Sequence, residues 1–88
     1  MPTIKKDILI KGKQGLHARP AAMFVQICAK YNSNVIVQKG NEKVNGRSIM
    51  GIFTLGAQTG SQVTIEATGD DAEKVLVELE ELLTKDDI

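Results

Sequence analysis

The stretch QVTIEATGDDAEKVLVELEELL, residues 62–83, changes its period partway along, and that change decides the fold. In its first third Val63, Ile65 and Ala67 alternate with Gln62, Thr64, Glu66 and Thr68, the two-residue repeat of a strand with one buried face. After TGDD the apolar residues fall at Ala72, Val75, Leu76, Leu79, Leu82 and Leu83, the spacing of one helix face. The carboxylates of TGDD suit the positive end of the helix macrodipole and the capping chemistry of a helix start. A strand with one polar face belongs to an antiparallel sheet covered by helices on the other side.

Working back toward the N-terminus, SIMGIFTL at 48–55 predicts a short helix, with Ser48 as its N-cap and Gly51 as its weak point. VIVQK at 35–39 reads as a strand, GNE as a tight connection and KVN as the second arm of a hairpin. YNSN at 31–34 stops an earlier helix of about three turns. The apolar stripe of that helix is read as Ala18, Ala21, Ala22, Val25, Cys28 and Ala29. Residues 3–10 alternate once more, with Ile4, Ile8 and Ile10 on one face and Lys6 as the exception. The order is β-α-β-β-α-β-α. The expected fold is therefore α+β, an open-faced β-sandwich whose four-stranded antiparallel sheet carries three helices on one face. Eighty-eight residues are read as a single domain, 1–88.

Composition narrows the function. The only aromatics are Phe24, Tyr31 and Phe53, so the core is expected to be aliphatic. One cysteine, Cys28, makes no internal disulfide, which suits a reducing compartment. MPTIKKDILI lacks the apolar run of a signal peptide, and no apolar stretch reaches 18 residues, so a cytoplasmic protein without membrane insertion is expected. Net charge is zero, yet residues 1–47 carry nine basic and two acidic side chains while 48–88 carry two basic and nine acidic. Either the halves interleave in space, or a positive face surrounds the one histidine.

That histidine stands in GLHARPAA, residues 15–22. If the helix starts near Ala18, His17 is its N-cap or the neighbour of the cap. The first helical N–H groups have no internal acceptor, and the positive end of the helix disfavours imidazolium. The imidazole there stays neutral and nucleophilic, and an anion attached to it meets donors from the backbone of Ala18 and Arg19. Arg19 adds a guanidinium that forks onto phosphate oxygens. Pro20 costs little in a first turn, and Ala18 and Ala22 leave the entrance open to a partner surface. One histidine and one cysteine cannot supply a metal site, so neither metal nor cofactor is expected. Cys28 lies about three turns from His17 on the apolar stripe and reads as a core residue rather than a member of a Cys–His dyad.

GLHARPAA resembles the active-site signature of the HPr family, the histidine-containing phosphocarriers of the bacterial phosphoenolpyruvate-dependent phosphotransferase system. A second block, KVNGRSIMGIFTLGAQTG at 43–60, is similar to the family's segment around a regulatory serine, so the resemblance covers essentially the whole chain. It implies that His17 takes a phosphoryl group on Nδ1 from phosphorylated enzyme I and passes it to the IIA domain of a sugar permease, with Arg19 assisting. It implies that Ser48 is the target of a serine kinase/phosphorylase; docking of the modified form on a transcription regulator or enzyme belongs to the binding-module alternative below. It places Ala18, Ala22, Arg47, Ile49, Met50, Gly51 and Phe53 at the partner interface of a monomer. Phe53 replaces the aliphatic residue or Met usual in the family. Gln26 and Ala29 stand where some relatives are basic, which leaves Lys30 and Arg47 as the rim charges.

Three other readings compete with this one. A regulatory binding module would use Ser48 and the apolar residues of 49–53 without phosphoryl transfer. A nitrogen-type relay (NPr-like) would transfer phosphate without transporting sugar. An RNA-binding domain shares the β-α-β-β-α-β order but stacks bases on strand aromatics, and no strand here has one. With zero net charge as well, nucleic acid is not an expected partner.

Overall fold

The computed structural model, which describes residues 2–12 and 18–85, runs β1 (Thr3–Leu9), α1 (Ala18–Ala29), β2 (Asn34–Lys39), β3 (Glu42–Asn45), α2 (Ile49–Leu55), β4 (Gln62–Thr68) and α3 (Ala72–Thr84). The strands form one antiparallel sheet in the order β1-β4-β2-β3, with β4 between β1 and β2. Register follows from the alternation. Ile8 stands opposite Val63 and Ile4 opposite Ala67, while on the other side Val35 faces Ala67 and Val37 faces Ile65. This row of β-branched and small residues is the floor of the core. Helices cover it on one side and leave the other open.

The Lys6 anomaly has a physical explanation. Lys6 pairs with Ile65 on the helix-facing side of the sheet, but β1 is an edge strand. Its side chain reaches past the rim to Glu80 of α3, at 2.7 Å. A second cross-link joins Lys30, at the end of α1, to Glu78 of α3, also at 2.7 Å. Both pairs join the basic N-terminal half to the acidic C-terminal half, so to this extent the halves interleave.

The core contains Ile8, Ile10, Ala21, Phe24, Cys28, Val35, Val37, Ile52, Leu55, Val63, Ile65 and the α3 row Ala72, Val75, Leu76, Leu79, Leu82 and Leu83. The α3 row is the one read from the sequence. The α1 stripe needs correction. Its buried line is Ala21, Phe24 and Cys28 beside Pro20, whereas Ala22 and Val25 are half-buried and Ala29 is exposed. Burying one phenylalanine removes far more apolar area from water than burying two alanines, and the helix is turned to suit Phe24.

The TGDD segment also departs from its reading. Asp71 is the N-cap residue of α3, but its side chain makes no capping hydrogen bond. Its carboxylate instead accepts from the backbone N–H of Asn32 at 2.8 Å, from that of Ser33 at 2.9 Å, and from the Ser33 hydroxyl. Gly69 makes this approach possible. At φ +150° a Cβ there would lie 2.5 Å from Ser33 Oγ and 2.8 Å from Ser33 Cα. Among the described residues no helix is long and apolar enough to cross a membrane.

Candidate functional site

His17 lies outside the described residues. The structure does describe the helix that follows it. Ala18 is the first residue of α1, Arg19 is exposed, and Pro20 and Ala21 are buried in the core. The first turn is thus anchored by its third and fourth residues while the guanidinium-bearing second residue faces water. Pro20 has no N–H to leave unsatisfied, which is why a proline fits this turn. No acidic side chain occupies the first turn to neutralise the helix end. Ala22 is half-buried.

Beside α1 lies α2, which packs against both α1 and β3. Ser48 caps it: the Ser48 Oγ accepts the Gly51 N–H at 3.0 Å, and the backbone at Ser48 is extended, as an N-cap requires. Gly51 lets α2 sit close to β3, since a Cβ there would meet Val44 Cβ at 3.1 Å and Ser48 Oγ at 3.2 Å. Ile52 and Leu55 point into the core, at 0% and 4% exposure. Ile49, Met50 and Phe53 stay 38%, 68% and 42% exposed. Three large apolar side chains on one short helix form a patch that water does not favour and a partner does.

Both rim charges, Lys30 and Arg47, also make contacts within the fold. Arg47 donates through Nη2 to the carbonyls of Tyr31 and, at 3.5 Å, Ser33, and its own N–H donates to Asn45 Oδ1 at 2.8 Å. The carbonyls it holds lie just beyond the C-terminus of α1, so Arg47 serves the fold rather than standing as an uncommitted charge. Lys30 is bound to Glu78, which also accepts from the Tyr31 hydroxyl. The Lys30 ammonium, followed by the Tyr31 hydroxyl, holds the Glu78 carboxyl below its ordinary value. The same hydrogen bond raises the Tyr31 phenol.

Cys28 is fully buried, and desolvation pushes its thiol up to about 12, with the Arg47 charge opposing only in part. A thiol so far from ionisation is no nucleophile near neutral pH. The sequence offered no signal for the Arg47 and Asp71 contacts, because both reach across the chain to a turn that is unremarkable in itself.

Comparison with known proteins gives a consistent result. A family model described as "PTS HPr component phosphorylation site" matches residues 4–85. The HPr-like protein Crh of Bacillus subtilis (strain 168) is 41% identical over 76 residues, covering 86% of this chain and 89% of that protein. The crystal structure of a phosphocarrier protein HPr from Bacillus anthracis superposes with a TM-score of 0.91 at 38% identity, over 94% of this chain and 99% of that one. An HPr from Thermoanaerobacter tengcongensis, solved as a dimer, is 52% identical with a TM-score of 0.71, over 85% of this chain and 86% of that one.

Proposed function

Because the chain belongs to the HPr family of phosphocarriers of the phosphotransferase system, we propose that His17 is its phosphoryl acceptor, taking the group from phospho-enzyme I and delivering it to the IIA domain of a sugar permease. The imidazole nitrogen attacks phosphorus as the bond from phosphorus to its donor atom on phospho-enzyme I breaks; onward transfer is the same exchange with the carrier as donor. The observation that carries the reading is the helix entrance. α1 begins at the residue after His17, with Arg19 exposed and Pro20 and Ala21 anchored in the core. N–H groups of Ala18 and Arg19 together with the Arg19 guanidinium suit a phosphate at His17, without a fixed counter-charge that would hold it too tightly. Catalysis in such an exchange is mostly positioning and charge stabilisation shared with the partner.

The docking face in this reading is Ile49, Met50, Gly51 and Phe53 of α2 with Ala18 and Ala22 of α1, and Arg47 at its rim. A single copy of the chain, acting as one domain in the cytoplasm, is the working unit; the dimer of the Thermoanaerobacter protein makes sedimentation in solution the check on that point. Ser48 is the regulatory site, modified by an ATP-dependent serine kinase/phosphorylase. A dianionic phosphate at the start of α2 changes the charge beside the apolar patch without opposing the helix dipole. A second reading, a regulatory module that binds a transcription regulator, draws on one observation: the half-buried Ser48 lies next to the exposed Ile49 and Met50.

The test is labelling with enzyme I and labelled phosphoenolpyruvate, comparing the wild type with His17→Ala. Acid-labile, base-stable label on the wild type alone is the expected result. No label on folded wild type, with enzyme I shown active on another carrier, refutes the carrier reading and leaves the binding module.

A further inference from the structure

Three sulfur-bearing side chains lie among the described residues, and the fold treats each differently. Cys28 is fully buried, and desolvation keeps its thiol protonated, pushed up to about 12. Met23, one residue before Phe24, is half-buried and packed against the core. Met50, in the first turn of α2, is 68% exposed, more than any other large apolar side chain among the described residues. Oxidation of sulfur follows solvent access and, for a thiol, ionisation. Both criteria select Met50.

Met50 also stands where a change of polarity has a consequence. Phe53 follows it by three residues and so shares its side of α2, and Ile49 is its exposed chain neighbour. The sequence of α2, IMGIFTL, holds no charged side chain, and Thr54 is its only polar one. A sulfoxide on Met50 sets a strong hydrogen-bond acceptor beside the apolar side chains of this face. The fold itself should not register the change, because α2 is held by Ile52 and Leu55 in the core.

We propose that Met50 is a reversible oxidation site through which peroxide turns off docking at the α2 face; the proposal rests on the carrier reading above and adds a regulation to it. The Met50 sulfur attacks one oxygen of hydrogen peroxide as the O–O bond breaks. The S–O bond of the sulfoxide forms, and the second oxygen leaves as water once it has taken a proton. Sulfur is oxidised by two electrons and peroxide is reduced. A methionine sulfoxide reductase reverses the step, releasing the oxygen as water while its thiols become a disulfide. A partner pocket shaped for the thioether loses an apolar contact and must desolvate an oxygen it cannot pair.

The test treats the full-length carrier alone with dilute hydrogen peroxide, removes the peroxide, and then measures binding to untreated enzyme I. Wild type, Met50→Leu and Met23→Leu are compared, each with its own untreated sample. Peptide mass mapping should place the first added oxygen on Met50 ahead of Met23. The Kd of wild type and of Met23→Leu should rise about tenfold or more on treatment, the scale of one unpaired buried polar group. Met50→Leu should keep its own untreated Kd, and sulfoxide reductase should restore the wild type. The melting temperature of the oxidised wild type should match that of the reduced protein. Oxygen taken up first by Met23, an unchanged Kd for the Met50 sulfoxide, or an equal loss of affinity in Met50→Leu overturns the proposal. Reduced wild type that neither binds enzyme I nor takes label from it overturns the carrier reading, and the proposal with it, before any peroxide is added, so the two failures are distinguishable.

Discussion

The two ends of α1 are held in opposite ways. Beyond its C-terminus, the turn at 31–33 is gripped from three sides. Arg47 takes the carbonyls of Tyr31 and Ser33; Asp71 takes the N–H groups of Asn32 and Ser33 together with the Ser33 hydroxyl; Glu78 takes Lys30 and Tyr31. At the N-terminal end the anchoring is apolar, through Pro20 and Ala21, and the charged Arg19 is left in water with no carboxylate partner among the described residues. Polar groups satisfied inside the fold are not available to a ligand, and those left open are. Among the described residues, the polar side-chain contacts gather where the helix ends, and Arg19, near where it begins, makes no ion pair.

The comparison is broken most severely through the side chain between the two ends. Phe24 is fully buried in the middle of α1. Phe24→Ala should cost about 3–5 kcal/mol, the usual loss for a buried aromatic truncated to alanine, measured by urea unfolding. It should loosen both ends together, and a loss below about 1 kcal/mol would mean that the helix is not organised around this residue. Gly69→Ala strikes only the C-terminal end, by driving a methyl into Ser33. It should cost about 1–3 kcal/mol while phosphoryl transfer by the folded protein stays at the wild-type rate. Met50→Ala is expected to do the reverse: unfolding within about 0.5 kcal/mol of wild type, as for an exposed position, but a KM for enzyme I raised about fivefold or more through the loss of an interface contact.

The smallest effect is one of pH. The Ser33 hydroxyl, followed by the Asn32 N–H, holds the Asp71 carboxyl below its ordinary value, as Lys30 and Tyr31 do for Glu78. A carboxylate whose folded value is depressed contributes stability in full above the unfolded value, near pH ~4, and loses it as pH falls through the folded one. Asp71→Asn should therefore be less stable than wild type at neutral pH, and the gap should close on acidification below the carboxylate range. Urea unfolding across that range is the check. A gap that stays constant would assign the loss to shape rather than charge.

Much of this arrangement was legible before the structure. The period-2 runs at 3–10, 35–39 and 62–68, the α3 row and the Ser48 cap all depend on local spacing, and local spacing is what a sequence displays directly. So does the division of α2 into buried Ile52 and Leu55 and exposed Ile49, Met50 and Phe53. The misreadings share one cause, competition with distant parts of the chain. The α1 stripe was drawn through alanines because their spacing is regular, and Phe24 overrode it by size. Asp71 read as a cap because it precedes a helix, yet the turn at 32–33, 38 residues upstream of Asp71 at its nearer end, uses its carboxylate. The hold of Arg47 on the Tyr31 and Ser33 carbonyls was likewise invisible in the sequence, because it reaches 14 to 16 residues back along the chain. The hydrogen bond from the Thr59 hydroxyl to the Gly12 carbonyl spans 47 positions and has no local signature at all. Motif and helix physics single out His17, Arg19 and Ser48 from the sequence.

The division of labour between the two ends is tested most directly by a crossed pair of variants, Arg19→Ala and Asp71→Asn, each measured for unfolding and for phosphoryl transfer from enzyme I. Arg19→Ala should unfold with the wild type and transfer about ten- to a hundredfold more slowly, the scale for removing one charge-stabilising donor. Asp71→Asn should unfold earlier at neutral pH and, in its folded fraction, transfer at the wild-type rate. If Arg19→Ala transfers normally, or if both variants lose transfer only in proportion to their loss of stability, then the open end of α1 is not the working end and the account fails.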